Sequence, residues 1–163
     1  GVEYWGVDAA SGLISAAHKR ERDPRRRYVT ADATRPLPFE KKDFSHAAIV
    51  LALQNVERGE LMIATAARHL RPGGRLVVVL NHPCFRIPRQ SSWGVDEANK
   101  LRYRRVNRYL GELKVPIAAH PSAGDRSPMT WTFHHPLADY SRWLKASRFL
   151  IAQSEEWASD KQS

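Results

Sequence analysis

Leu70-Arg71-Pro72-Gly73-Gly74-Arg75-Leu76-Val77-Val78-Val79-Leu80 is the stretch that decides how this chain folds. Leu70 closes an apolar helical pattern. Pro72 cannot continue a helix, and Gly73 and Gly74 can take the left-handed backbone that ends one. The β-branched run that follows predicts a strand over 75–80, buried on both faces. A helix fed through a tight turn into a buried strand is half of a parallel α/β unit.

Upstream, Leu61, Ala64, Ala67 and Leu70 recur at helical spacing with Ile63 beside them, which predicts a helix over 60–70. The apolar run 47–53 has the length of a buried strand, and Pro36 and Pro38 hold the chain before it extended. Two short strands are predicted earlier, over 4–8 and 28–31, the first ending in Asp8 and the second followed by Asp32. Between them Ser11 can cap a helix whose apolar face holds Leu13, Ile14 and Ala17 and which stops near Pro24. The order β-α-β-loop-β-α-β predicts an α/β fold with a doubly wound, mostly parallel sheet.

Downstream the character changes. A Pro-punctuated loop covers 82–89, and 96–110 reads as a strongly basic inserted helix. Strand-like runs over 114–118 and 129–134 flank a turn-rich segment and predict an antiparallel hairpin. A helix is expected over 136–146, starting at Pro136, and a last strand over 149–154. The chain reads as one domain over 1–163, with 82–136 as a substrate-side insertion or lid.

The 163 residues are enough for a real core, and 42% of them are hydrophobic. No apolar run is long enough to span a membrane, and a single cysteine, Cys84, allows no internal disulfide. A cytoplasmic location is the expectation. The formal charge of +9 gathers in two blocks, Lys19 to Arg27 and Lys100 to Arg108. Solvated faces explain such blocks more economically than nucleic acid does.

Ligands of parallel sheets bind at the carboxyl ends of the strands, where Asp8 and Asp32 are expected. A carboxylate there can accept hydrogen bonds from the vicinal hydroxyls of a ribose or from the exocyclic amine of a base. Each acid alone reads equally well as a helix-end or loop-capping residue. Two consecutive strands ending in an acid say more than either.

Four stretches in order carry a family resemblance: Gly6-Val7-Asp8-Ala9-Ala10-Ser11-Gly12-Leu13-Ile14, Asp32-Ala33 with Leu37-Pro38-Phe39, the segment from Phe44 to Leu53-Gln54-Asn55-Val56, and Leu70 to Leu80. Together they resemble strands two to five of the class I S-adenosylmethionine-dependent methyltransferases, closely in the first half of the chain and loosely in the second. The resemblance implies a Rossmann-like sheet and S-adenosylmethionine as cofactor. It implies cofactor contacts from Asp8 (ribose), Asp32 (adenine), Ala9, Ser11, Leu13, Ala33 and Leu51. The family's first strand, with its Gly-x-Gly-x-Gly turn, and its last strand have no counterpart here, so a fragment truncated at both ends is expected. An NAD-dependent oxidoreductase would also use an acid after the second strand, but Asp32 and Leu37-Pro38-Phe39 favour the methyltransferase.

The acceptor site is expected in the irregular second half, from Asn55, His82, Phe85, Trp93, Trp131 and His135. Indole faces can pack a flat substrate or steer a sulfonium. His82 and His134 are the candidates for a general base, although in-line positioning alone serves many methyl transfers. Cys84 reads as a small buried hydrophobe rather than a nucleophile. No Cys/His/acid spacing predicts a metal site. The expected activity is methyl transfer to a small molecule. The alternatives are an RNA-modifying methyltransferase and a non-catalytic nucleic-acid-binding domain, in which Arg102, Arg104, Arg105 and Arg108 with Tyr103 and Tyr109 would meet phosphates.

Overall fold

A computed structural model describes residues 1–87, 89–118 and 129–157. The chain divides into two units, Gly1–Ala47 with Arg58–Leu76, and Ala48–Glu57 with Val77–Ser163.

The first unit opens with β1 (Tyr4–Asp8), α1 (Ser11–Arg20) and β2 (Arg26–Thr30). β1 and β2 pair in parallel, from Tyr4 against Arg26 to Asp8 against Thr30. Gly6 faces Tyr28 across this pair, and a Cβ on Gly6 would lie 2.8 Å from the Tyr28 ring. The glycine is therefore required by the ring that covers it. α1 buries Ile14 but leaves Leu13 62% exposed. Ser11 does not cap it: the N-cap is Ala10, whose N–H donates to Asp8 Oδ1 at 2.7 Å. Phe39, from the Leu37-Pro38-Phe39 loop, packs at 4.5 Å on Trp5 and at 4.9 Å on His69. That cluster holds the loop against β1 and against α2 (Gly59–His69), which buries Met62 and Ile63.

The reading of the Pro-Gly-Gly stop needs correction. α2 ends in an extended cap at Leu70, and β4 (Leu70–Val79) runs through Pro72-Gly73-Gly74 instead of starting after it. Gly73 does adopt a left-handed φ of +73°, but as a kink inside the strand. A Cβ on Gly74 would sit 2.9 Å from the Arg71 carbonyl, so the kink needs both glycines. β4 pairs with β3 (Phe44–Val50), and the boundary between the units falls within both strands.

In the second unit a single 3-10 turn, Leu53–Asn55, follows β3. Leu53 and Ile87 are almost completely buried, and Tyr140 is 7% exposed. Two antiparallel hairpins follow, β5 (Ser91–Asp96) with β6 (Leu101–Val106), and β7 (Leu113–Ala118) with β8 (Met129–His134). The second was expected; the turn-rich segment between its strands lies outside the described residues. The first replaces the expected basic helix over 96–110. Asp96 is the reason: its carboxylate accepts from the Asn99 N–H and from Asn99 Nδ2, and Lys100 turns back at φ +52°. That local bonding closes a turn that competes with the first helical turn. α3 (Leu137–Ala146) starts after Pro136 as expected. The expected strand over 149–154 does not form; these residues pair with no described strand, and Leu150 is 95% exposed.

The described strands make four two-stranded pairs rather than one doubly wound sheet. Among the described residues no helix is long and apolar enough to cross a membrane.

Candidate functional site

Two places carry convergent polar chemistry, one in each unit. In the first, the parallel pairing of β1 and β2 sets Asp8 and Asp32 on one carboxyl edge, because Asp8 faces Thr30 and the Ala31 N–H donates to the Asp8 carbonyl at 3.0 Å. Both side chains are exposed. Asp8 Oδ1 is committed to the Ala10 N–H, and Oδ2 makes no hydrogen bond among the described residues. Asp32 Oδ1 accepts from both the hydroxyl and the N–H of Thr34, at 2.7 and 2.9 Å, while Oδ2 lies 3.6 Å from Arg35. The Thr34 hydroxyl, then its N–H, then the Arg35 charge hold the Asp32 carboxyl below its ordinary range. Each acid thus uses Oδ1 to fix its own rotamer; Asp8 Oδ2 has no partner among the described residues, and Asp32 Oδ2 faces only the exposed Arg35 guanidinium. A diol and an exocyclic amine are the donors such a pair accepts, so the residues fit the ribose and adenine of a nucleoside. Ala9, Ser11 and Leu13 are exposed beside them, and Ala33 is half-buried. Ser11 and Thr30 also line an open groove of about 620 Å³.

The second place begins at Leu51, which takes a left-handed φ of +50° just after β3. A branched residue adopts that backbone only where its surroundings impose it. Here the Leu51 carbonyl accepts from Gln54 Nε2 and Asn55 Nδ2, both at 3.0 Å, and its N–H donates to the Val79 carbonyl at 2.8 Å. The clamp turns Gln54 and Asn55 toward a cavity of about 390 Å³, which β6, β8, α3 and the 81–91 loop complete. Pro83, Ile87, Ile117, Phe133 and Tyr140 form its apolar lining; Asn81, Arg86, Arg89, Ser91, Arg104, Thr132 and His134 form the rest of its polar one. Thr132 Oγ1 donates to the Gln54 carbonyl at 3.2 Å and ties β8 to the turn. Burial pushes the Tyr140 hydroxyl up to about 12, with the Asp139 charge adding to it.

Of the expected acceptor-site residues, only Asn55 and the base candidate His134 line this cavity. His134 is 5% exposed, and its Nε2 donates to the Tyr109 carbonyl at 2.8 Å. A carbonyl only accepts, so the proton sits on Nε2 and Nδ1 keeps its lone pair. His82 has no such freedom: Nδ1 accepts from the Cys84 N–H, and Nε2 donates to Glu156 Oε1 at 2.5 Å. Phe85 is exposed and stacks on His82 at 4.7 Å. Trp93 lies under the guanidiniums of Arg102 and Arg104, at 4.5 and 5.3 Å. Trp131 lies under Lys114 at 5.0 Å. His135 is buried against Tyr140 and Trp143 instead. Its Nδ1 lies 3.5 Å from Asp139 and 3.8 Å from Glu112, a grouping that the linear spacing hid. Arg142 already caps Asp139 there, so the cluster carries its own cation.

Sequence reasoning missed Gln54 and the three cavity arginines. Arg86 and Arg89 sat in a loop read only for its prolines. Arg104 was hidden by the helical reading of 96–110; strand alternation of 102 and 104 against Trp93 would have put both on one face.

The residues around Asp8 and Asp32 fall within 1–78, which match the family profile described as a methyltransferase domain. A demethylmenaquinone methyltransferase from Beutenbergia cavernae is 37% identical over 125 residues, covering 77% of this chain and 47% of the relative. The chain thus spans about half the length of that curated relative. Among solved structures, an S-adenosylmethionine-dependent methyltransferase from Mesorhizobium loti superposes with a TM-score of 0.76 at 26% identity, covering 96% of this chain and 68% of the other. A glycopeptide N-methyltransferase solved with S-adenosylmethionine shares the fold at 18% identity, with a TM-score of 0.53 over 89% of this chain and 61% of that one. The class that the fold defines is a Rossmann-like α/β protein. Over residues 1–78, just under half of its length, the chain matches a methyltransferase domain, and both the curated relative and the solved structures it resembles are methyltransferases, among them ones that use S-adenosylmethionine.

Proposed function

We propose that this chain binds S-adenosylmethionine at the edge formed by Asp8 and Asp32 and methylates a small molecule held in the cavity behind Leu51. The observation that carries the reading is the pair of exposed carboxylates on one strand edge, each with its Oδ2 turned away from its own turn, inside the segment that matches the methyltransferase domain. Asp8 Oδ2 accepts from the ribose hydroxyls, and Asp32 Oδ2 accepts from the adenine amine. Ala9, Ser11, Leu13, Ala33 and Leu51 are proposed as the remaining contacts. When bound, the cofactor supplies a methyl group on a positively charged sulfur.

The cavity of about 390 Å³ lies in the range of small-ligand sites and favours a small acceptor over a polymer. The relatives named demethylmenaquinone methyltransferase support an acceptor of that size. His134, through the Nδ1 lone pair, takes the proton of an acceptor hydroxyl or amine. Asn55 orients the acceptor, and the described residues of 82–136 that line the cavity enclose it.

Calorimetry with S-adenosylhomocysteine and with NAD tests the cofactor assignment. Binding of the first and not the second is expected; the reverse, or no binding by the folded protein, overturns it. Transfer from methyl-labelled cofactor to a panel of phenols, amines and quinols then reads the acceptor.

A further inference from the structure

Three arginines and no carboxylate line the acceptor cavity. Arg86, Arg89 and Arg104 line it, and none of them is ion-paired among the described residues. Arg104 is anchored by one nitrogen, which donates to the Phe85 carbonyl at 2.6 Å and to Ser91 Oγ at 2.9 Å, yet its Nε is buried without a partner. Gln54 repeats the pattern with opposite sign: Nε2 is bonded to the Leu51 carbonyl, and Oε1 is buried without a partner. Buried donors and acceptors are nearly always paired, and an unpaired one is costly. Arg86 and Arg89 are exposed and Arg104 is half-buried, so three cations face one cavity whose lining offers no counter-charge. A bound molecule that removes all these costs presents an oxyanion to the arginines and a hydroxyl or amine hydrogen to Gln54.

We infer that the acceptor is an acid, a small molecule carrying a carboxylate or phosphate together with a donor O–H or N–H. This deepens the methyltransferase reading and rests on it. Guanidinium forks match planar oxyanions with charge-assisted bonds, which an uncharged quinone cannot replace. The apolar lining, Ile87 and Phe133 among it, leaves room for a ring between the charged and the neutral walls.

The test is binding by the whole protein, measured calorimetrically with and without S-adenosylhomocysteine. The probes are 4-hydroxybenzoate and 4-hydroxyphenyl phosphate, set against methyl 4-hydroxybenzoate and menadione, which carry no charge. The two acids should bind and the neutral probes should bind at least roughly tenfold more weakly, the scale of one lost charge-assisted bond. A preference between the acids identifies the oxyanion. Arg86 makes no side-chain hydrogen bond among the described residues, so R86Q leaves the fold intact; it should weaken the acids by about tenfold and leave the neutral probes unchanged. R105Q, one residue along β6 from Arg104 and outside the lining, should change nothing. Equal binding of acids and neutral probes, no binding of either acid, or equal losses in R86Q and R105Q would overturn the inference. Failure to bind S-adenosylhomocysteine with acid binding intact would overturn the cofactor assignment alone.

Discussion

Asp8 does two things with two oxygens, and substitutions separate them. Oδ1 closes the turn into α1 by accepting from Ala10, while Oδ2, without a partner among the described residues, is the proposed contact to the cofactor. D8N keeps a carbonyl for the turn and loses the charge, whereas D8A loses both. D8A should weaken S-adenosylhomocysteine binding by about 2 kcal/mol, the worth of a charge-assisted bond. D8N should weaken it by less while keeping the thermal midpoint, so calorimetry and melting together assign each oxygen. Asp32 has a lowered carboxyl, set first by the Thr34 hydroxyl. Its contribution to stability is therefore present above the ordinary aspartate range and fades as pH falls through the lowered folded value. T34A should raise the Asp32 titration midpoint seen by NMR; an unmoved midpoint would assign the shift to the residue-34 N–H and Arg35 instead. These two acids were legible because position along a strand is enough to place them. Gln54 and Arg104 were not, since their significance lies in what they fail to bond, and an unpaired buried atom leaves no mark in a sequence.

Elements were legible where a pattern and a breaker agreed, and misread where local side-chain bonding overrode propensity. β1, α1, α2 and the β7–β8 hairpin follow their periodicity. The segment over 96–110 contains good helix formers, yet Asp96 bonds to Asn99 and closes a turn. Gly94 then faces Tyr103 with no room for a Cβ, 2.5 Å from the ring, just as Gly6 faces Tyr28. Both glycines are filled from across the pair by a tyrosine, a strand signature readable only once pairing is known. The C-terminus of α3 shows another such override. Phe149 N–H bonds back to the Leu144 carbonyl and Arg148 N–H to that of Lys145, with Arg148 at φ +63°. This is a Schellman closure made with arginine where glycine is usual. It explains why the expected last strand never starts: the chain leaves the helix in a direction set by the closure. R148G should stabilise the fold by about 0.5 to 1 kcal/mol, the left-handed penalty of a residue with a Cβ less the entropy of a freer unfolded chain. A chemical denaturation midpoint that moves down instead would mean the Arg148 side chain itself contributes.

At the scale of the whole molecule, a formal charge of +9 opposes self-association by mutual repulsion. Residues 149–157 work against it. They form no helix or strand, pair with no described strand, and expose Leu150 at 95%, Ile151 at 60% and Trp157 at 78%. An unpaired extended apolar segment is a template for pairing between copies. Added salt screens the repulsion and leaves the template, so light scattering should rise with ionic strength. Replacing Leu150 and Ile151 by lysine should abolish the rise; a rise that persists would place the sticky surface elsewhere. The fold class was readable because β-α-β order survives any detail of pairing, whereas the division into strand pairs depends on contacts distant in sequence. One last feature turns the molecule into its own instrument. Arg104 lies over the Trp93 ring and also lines the acceptor cavity. A ligand that draws the guanidinium inward strips a quencher and a charge from the indole, so occupancy of the cavity is reported as a change in the colour and intensity of emitted light, without any label.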